Sequence, residues 1–97
     1  MNRQNKDYLI EWDEEKAIQN EKKHGILFEE ASLVFLDANR IESFDDSHSE
    51  SEDRFITIGR VRRIITIIYT VRSGDVLRII SARIATKEEE MEYYGYR

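Results

Sequence analysis

Residues 54–84 form three consecutive stretches rich in β-branched residues, with only a few residues between one stretch and the next. Such stretches favour strands, and short connections between them favour an antiparallel meander. The middle stretch, IITIIYTV at 64–71, is apolar on both strand faces, whereas a strand with one solvent face alternates polar and apolar residues. The sequence therefore predicts a central strand covered on both sides, with helices on one of them.

Further strands and turns complete the predicted sheet. The segments YLIEW at 8–12 and RIESF at 40–44 are short apolar or alternating runs typical of strands. The segment RSGD at 72–75 has the composition of a hairpin turn, and GRVR at 59–62 is a candidate for the other turn. The whole sheet is predicted to be antiparallel.

Three helices are predicted from capping and periodicity. Residues 14–24 begin after the N-cap candidate Asp13, carry acids first and bases last, and stop at Gly25. An apolar stripe across 28–35 indicates a second short helix. The segment TKEE at 86–89 has the pattern of a capping box at the start of a third. The predicted fold is α+β, in the order βααββββα, with helices packed on the sheet.

Length and composition predict a single domain over residues 1–97, since there is no proline, no repeat and no linker-like segment. The absence of cysteine excludes disulfides and thiolate metal sites, and two histidines give no basis for a structural zinc site. No apolar run has the length of a membrane span, and the N-terminus lacks the apolar core of a signal peptide. We expect a cytoplasmic protein without membrane contact.

Charge is segregated along the chain, although the net charge is only −5. Residues 42–53 contain six acids and no base, whereas 54–86 contain seven arginines and a single acid, Asp75. The guanidinium group suits bidentate phosphate contacts, so this block predicts a phosphate-bearing ligand. Arginines on exposed strand edges are the simpler explanation for any one of them.

Two arginines, Arg78 and Arg83, interrupt the apolar run RIISARIAT at 78–86. Successive side chains of a strand point to opposite faces, so these two share a face only if a bulge lies between them. An arginine in such a run must reach a polar cleft or an ion pair, because arginine does not lose its charge. For Arg83 the ion-pair alternative is an acid of the last helix, Glu89 or Glu90.

The first predicted helix has a polar stripe in place of a clear apolar face. Lys16, Asn20, Lys23 and His24 lie within about 40° of one line at 100° per residue. His24 is either a helix C-terminal cation, which the helix dipole favours, or a proton-transfer residue.

These residues resemble the BrnT family of bacterial toxins, and the resemblance spans nearly the whole chain. It rests on Trp12, Asp13, Lys16, Asn20, Lys23, His24, Gly25, Phe28, Glu30, Ala31, Arg54, Gly59, Arg78, Ser81, Ala82, Arg83, Ala85, Thr86, Glu89 and Tyr93. The resemblance implies a RelE-like fold, endoribonuclease activity that arrests growth, and a cognate antitoxin with a ribbon-helix-helix DNA-binding part. It also implies that operator DNA is contacted only through the toxin–antitoxin complex.

RNA cleavage fits these residue types, because the 2′-OH of RNA can attack the neighbouring phosphate without a metal or another cofactor. The reaction needs proton transfer and cations for the charge that develops on the phosphate. The catalytic candidates are His24 for proton transfer and Lys23, Arg54, Arg78 and Arg83 for phosphate stabilisation. The RNA-binding candidates are Lys16, Asn20 for positioning and Tyr93 for stacking on a base.

The alternative is a non-catalytic binding module, an inactive toxin that acts through its antitoxin complex as an operon co-repressor. Clustered arginines do not separate the two, because a positive surface also suits an acidic partner. Sequence-specific DNA binding by this chain alone is disfavoured, since no helix-turn-helix spacing or basic recognition helix is present.

Overall fold

The computed structural model describes residues 2–5, 8–48 and 52–95. The strands are β1 (Asn2–Asn5), β2 (Tyr8–Trp12), β3 (Ile41–Phe44), β4 (Phe55–Val61), β5 (Arg63–Val71) and β6 (Val76–Ile84). The α-helices are α1 (Glu14–His24), α2 (Phe28–Ser32) and α3 (Lys87–Tyr93), with short 3₁₀ helices at Leu33–Leu36 and Asp46–His48. The predicted order βααββββα omits β1, whose polar sequence NRQN carries no strand signal.

The six strands form one mixed sheet in the order β1-β2-β6-β5-β4-β3. The prediction of an antiparallel sheet is wrong at one place: β2 pairs with β6 in parallel, from Leu9↔Val76 to Trp12↔Ile79. Every other neighbouring pair is antiparallel. The two parallel strands are far apart in the sequence, with α1, α2 and three other strands between them. No hairpin turn therefore connects them, and the sequence has no local signal for their pairing.

The capping predictions are confirmed. The Asp13 carboxylate accepts a hydrogen bond from the Lys16 backbone N–H at 3.0 Å and so begins α1. Gly25 ends the helix in the left-handed region, with φ of 72°. At α3 the Thr86 hydroxyl and the Glu89 carboxylate complete a capping box.

One turn differs from its prediction. The predicted segment 59–62 contains the turn, but Gly59 still lies inside β4, and the chain reverses only at Arg62, a non-glycine residue with φ of 65° between the paired Val61 and Arg63. Gly59 is required for packing, since a Cβ there would lie 2.6 Å from Val34 Cγ1 on the neighbouring 3₁₀ helix. The predicted turn at 72–75 is confirmed by the Arg72 N–H, which donates to the Val76 carbonyl at 2.8 Å.

The main core fills one face of the sheet, beneath α1, α2 and the first 3₁₀ helix. Its fully buried members include Ile10, Phe28 and Ile67, and Trp12 packs edge-on against Phe28 with ring centroids 5.9 Å apart. The opposite face also carries isoleucines, as the pattern of the central strand predicts. This second face is where the arginines of β6 emerge.

A bulge in β6 sets which side chains emerge there. Ile68 pairs with Ser81 and Tyr69 with Ile79, which leaves Ile80 as the extra residue. Leu77, Ile79 and Ala82 therefore all face the main core. Arg78 and Arg83 share the opposite face, the arrangement that requires a bulge, and lie about 16 Å apart along the strand at about 3.3 Å per residue.

Candidate functional site

The exposed edge of β6 positions the first group of candidate residues. The pairing of β2 with β6 ends at Trp12↔Ile79, and α1 lies alongside the remainder of β6. The Asn20 amide donates to the Ala82 carbonyl at 2.8 Å and accepts from the Ala82 N–H at 3.0 Å. It also donates to the Ile26 carbonyl at 3.1 Å. The Asn20 side chain thus makes the backbone hydrogen bonds that a neighbouring strand would otherwise make to Ala82. These bonds attach α1 to β6 next to the bulge.

The prediction that Asn20 positions RNA by direct contact is not supported by this geometry. Its side chain is only 6% exposed, and both of its amide atoms bond to backbone groups. Helical periodicity correctly placed Asn20 on the polar stripe of α1. The stripe is not uniformly exposed, because Asn20 is buried whereas Lys16 and Lys23 are exposed. Asn20 is therefore a positioning residue for its neighbours.

The other three members of the stripe line one cleft between α1 and β6, here called the helix cleft. Lys16, Lys23 and His24 face Ile80 and Ser81 across a volume of about 610 Å³, with Asp13, Glu15, Gln19 and Asn20 completing the lining. His24 is half-buried as the last residue of α1. The structure therefore brings together the predicted proton-transfer residue and both predicted lysines.

A second cleft, here called the sheet cleft, opens on the face of the sheet opposite the main core. Arg54 and Arg83 are among its lining residues, and its volume is about 440 Å³. The remaining lining residues are Asp45, Ser47, Ile56, Ile68, Ile80 and Ser81. Ile80 and Ser81, at the bulge, line both clefts. The lysines and histidine on one side and two arginines on the other thus border a continuous surface.

Arg83 is held by the last helix, as the ion-pair alternative expects. Its guanidinium makes two hydrogen bonds to the Glu89 carboxylate, at 2.7 and 2.9 Å. Glu89 also accepts from the Thr66 hydroxyl and from the Thr86 N–H, both at 2.9 Å. The hydrogen bond from Arg83 is the main cause that lowers the pKa of Glu89 to about 2, against the opposing effect of burial. This network connects α3 to the sheet cleft.

Arg78 lies outside both clefts. Its guanidinium pairs with the Glu11 carboxylate at 2.9 Å, and the two residues are direct neighbours across β2 and β6. Arg78 and Arg83 lie on the same face of the sheet. They do not meet at one site, because they are five residues apart along β6. A role for Arg78 in catalysis therefore lacks geometric support.

Tyr93 also lies away from the two clefts, beside Asp37, Arg60 and Arg62 at the edge of β4. Its hydroxyl donates to the Asp37 carboxylate at 2.6 Å. Burial, followed by this hydrogen bond, raises the pKa of Tyr93 to about 12. Burial opposes the shift at Asp37, but the hydrogen bonds from Tyr93 and two backbone N–H groups lower the pKa of that carboxyl. Tyr93 thus anchors α3, and base stacking at the clefts is not available to it.

Most of the predicted arginine block is ion-paired. Glu30 lies within 4 Å of both Arg62 and Arg63, and Glu52 is 3.9 Å from Arg54. With the pairs of Arg78 and Arg83, five of the seven arginines have an acidic partner among the described residues. Ile80 and Ser81, which line both clefts, were not among the predicted site residues, because the bulge beside them is visible only in the register with β5.

Asn20→Ala tests the positioning role of that residue. We expect the free energy of unfolding to fall by about 1–3 kcal/mol, since buried backbone groups lose their partners. Gln19→Ala, which removes an exposed amide next to it on α1, should leave stability nearly unchanged. Urea unfolding of the three proteins measures this. Wild-type stability of Asn20→Ala together with weaker RNA binding would instead assign Asn20 to RNA contact.

The Glu89 network predicts a particular dependence of stability on pH. A carboxyl with a lowered pKa stabilises the fold above its unfolded value, and this contribution is lost as the pH falls through the folded value. For Glu89 that window runs from about pH 4.5 down to about pH 2. We expect Glu89→Gln to be less stable than wild type at neutral pH and to lose less stability across the window.

Unfolding free energies of wild type and Glu89→Gln, measured from pH 7 to pH 2, test this prediction. Glu90→Gln is the control, since it removes a neighbouring acid of α3. Parallel profiles for wild type and Glu89→Gln would show that the ion pair does not stabilise the folded chain.

The clefts combine cationic side chains, a histidine and an open sheet face, as expected of a protein that acts on a polyanion. A family model described as the ribonuclease toxin of a type II toxin–antitoxin system, BrnT, matches residues 12–89. The chain is accordingly a toxin of that class, with an antitoxin as its partner. It belongs to the BrnT family.

A solved structure agrees with this assignment. The chain is similar to the crystal structure of the Brucella abortus ribonuclease toxin BrnT, with 30% sequence identity and a TM-score of 0.61. The match covers 80% of this chain and 96% of the Brucella chain. No curated protein sequence matches the chain significantly. Within the described residues, no helix is long and apolar enough to cross a membrane.

Proposed function

We propose that this chain is an endoribonuclease toxin with a RelE-like fold that cleaves RNA without a metal ion and arrests growth. The observation that carries the proposal is the continuous surface around the β6 bulge. It places His24 with Lys16 and Lys23 in the helix cleft, and Arg54 with Arg83 in the sheet cleft. Ser81 borders both groups.

The reaction assigned to this surface is attack by the RNA 2′-OH on the adjacent phosphorus. The P–O5′ bond breaks, the 2′-O–P bond forms, and a 2′,3′-cyclic phosphate and a 5′-hydroxyl result. His24 transfers a proton at this step, by removing it from the 2′-OH or by supplying it to the departing 5′-oxygen. Lys23 stabilises the developing negative charge, and Lys16 binds a neighbouring phosphate.

Arg83 can take part while it is bound to Glu89. A guanidinium has five N–H donors, and the pair with the Glu89 carboxylate uses two of them. The ion pair holds the side chain in one orientation, which reduces the entropy lost when a phosphate binds. Arg54, on the same cleft, supplies the second guanidinium.

The proposal extends to the partner and the location. A cognate antitoxin with a ribbon-helix-helix part neutralises the toxin in the cytoplasm, and the complex contacts operator DNA through that part. The charged clefts are the surface that such a partner would cover to block RNA.

The test is cleavage of an end-labelled RNA by the purified chain in excess EDTA, with the product ends mapped. We expect fragments that end in a 2′,3′-cyclic phosphate. Loss of cleavage in EDTA and its return with an added divalent cation would contradict the metal-independent mechanism. The reaction is also run with ribosomes, so that a requirement for them is detected.

A binding module without activity is the second candidate, and the ion pairing of five arginines favours it, since paired arginines suit a structural role. It predicts no turnover of free or ribosomal RNA by the folded chain, together with a stable antitoxin complex that represses the operon. Cleavage by wild type removes this candidate.

A further inference from the structure

Ser81 carries a polar group that the fold itself does not use. Its hydroxyl makes no hydrogen bond to any other residue that the structure describes. The buried threonines on the same face of the sheet differ, because the Thr66 hydroxyl donates to Glu89 at 2.9 Å and the Thr70 hydroxyl to the Asp53 carbonyl at 2.6 Å. Ser81 is half-buried, so its hydroxyl meets water and can exchange that water for an oxygen atom of a ligand.

The backbone around Ser81 is held from both sides. On one side Ser81 pairs with Ile68 of β5. On the other side the next residue, Ala82, is bound by the Asn20 amide at 2.8 and 3.0 Å. The hydroxyl of a serine is placed by a single side-chain torsion with three staggered positions, so ordering it costs little conformational entropy. The fold therefore presents an unused donor in a nearly fixed position, as preorganised charge stabilisation requires.

Ser81 lies where the two clefts meet. It lines the helix cleft together with Lys23 and His24, and the sheet cleft together with Arg54 and Arg83. The four charged or titratable groups reach this place on longer side chains from both sides. The serine hydroxyl adds one short, directed donor from the sheet itself, at the position that a phosphate between the clefts would occupy.

The apolar neighbours of Ser81 strengthen a hydrogen bond at this position. Ile68 and Ile80 are half-buried and line the sheet cleft beside it, and Ile56 follows Ile68 in the same cross-strand row. Apolar side chains around a hydrogen bond reduce the competition from water and lower the local dielectric constant. A hydroxyl at this position therefore stabilises negative charge more than a serine on an open surface does.

We propose that the Ser81 hydroxyl donates a hydrogen bond to a non-bridging oxygen of the scissile phosphate and holds that phosphate between the two clefts. This inference rests on the proposed ribonuclease function. The negative charge on that oxygen grows as the RNA 2′-OH attacks, so the bond from Ser81 strengthens toward the transition state. Ser81 keeps its own proton throughout and forms no covalent bond to the RNA.

Ser81→Ala removes the hydroxyl alone. We expect kcat for RNA cleavage to fall by about 10- to 100-fold, as for the loss of a hydrogen bond to a charged oxygen, with a smaller rise in KM. The melting temperature should stay at the wild-type value, because the hydroxyl has no partner among the described residues. Ser81→Thr keeps a hydroxyl and should cleave faster than Ser81→Ala. Ser73→Ala is the matched control, since it makes the same change at an exposed position outside both clefts.

Phosphorothioate RNA tests whether the contact is made to the phosphate. Sulfur replaces one or the other non-bridging oxygen at the wild-type cleavage site, and the two diastereomers are cleaved separately in excess EDTA. Because sulfur accepts hydrogen bonds more weakly than oxygen, we expect wild type to cleave one diastereomer about tenfold more slowly than the other. Ser81→Ala should largely lose this difference, since a bond that is already absent cannot be weakened again.

Binding is measured separately from cleavage on a 2′-O-methylated copy of the same RNA, which lacks the attacking hydroxyl. Backbone amide shifts of the ¹⁵N-labelled chain report the contact. We expect shifts at Ser81 and Ala82 in wild type, and an affinity about three- to tenfold lower in Ser81→Ala. Ser73→Ala should bind this RNA as wild type does.

The outcomes separate this proposal from the proposed function. Weaker binding by Ser81→Ala, without any RNA cleavage by wild type, would support the phosphate contact and contradict the ribonuclease. Cleavage by wild type, with equal rates and equal affinity in Ser81→Ala, would overturn the role of Ser81 alone. A slower Ser81→Ala with a lower melting temperature and an unchanged difference between the diastereomers would also overturn it, because Ser81 would then act through the fold. A wild-type chain that neither binds nor cleaves RNA would contradict both proposals.

Discussion

His24→Ala should slow RNA cleavage by about 100- to 10,000-fold, the range expected when a proton-transfer residue is removed. The chain should still fold, because His24 is half-buried at the end of α1 and its structural contribution is limited to the helix terminus. A histidine cation at a helix C-terminus contributes about 0.3–1 kcal/mol at an exposed position. A loss of that size changes a melting curve slightly and leaves most molecules folded.

The control for this experiment is Lys22→Ala, which removes an exposed cation two residues away on the same helix and outside the helix cleft. It should retain nearly wild-type cleavage. Added imidazole should restore part of the activity of His24→Ala, since a missing proton carrier can be replaced from solution. A folded His24→Ala protein that cleaves at the wild-type rate would assign His24 to the helix cap and leave the chemistry to other residues.

Arg83→Ala supplies a comparison with a different expected pattern. Removing the guanidinium leaves Glu89 without its main partner, so both stability and phosphate binding decrease. Its cleavage defect should therefore come with a lower melting temperature and no rescue by imidazole. The two variants together separate proton transfer from charge stabilisation.

Local signals in the sequence were sufficient for most of the individual elements. The helix at Glu14–His24 was predicted with the observed bounds, because Asp13 and Gly25 act on adjacent backbone groups. The strand Val76–Ile84 and the capping box at Thr86 were likewise predictable from neighbouring residues. Each of these depends on contacts within one turn or one hairpin.

Features that depend on distant contacts were not predictable in this way. The parallel pairing of β2 with β6 brings together residues 67 positions apart, such as Glu11 and Arg78, without a turn that signals it. The bulge at Ile80 is visible only in the register with β5, yet it decides which face Arg83 occupies. The burial of Asn20 follows from the free edge of β6, which the sequence of α1 does not contain.

The candidate site shows the same division. The helix cleft was predictable, since Lys16, Lys23 and His24 meet by helical periodicity alone. The sheet cleft was not, because Arg54 precedes β4, Arg83 lies on β6, and β5 separates these two strands in the sheet. Arg78 and Tyr93, chosen by residue type, fall outside both clefts, where Glu11 and Asp37 are their partners.

Ile67→Ala should lower the free energy of unfolding by about 2–5 kcal/mol, the cost of truncating a fully buried isoleucine. Ile67 lies on the central strand β5 with no exposed surface, facing α1 and α2 across the main core. Its neighbour Ile68 points to the opposite face and lines the sheet cleft half-buried. Ile68→Ala should therefore cost less, about 1 kcal/mol by loss of partly buried apolar area.

The pair is a test of register as well as of packing, because adjacent residues of identical chemistry differ only in the face they occupy. A shift of one residue in the pairing of β5 with β6 would exchange their environments and reverse the order of the two losses. Urea unfolding of both variants and wild type, analysed with a common slope, measures the difference. Equal losses would show that the second face is as tightly packed as the first.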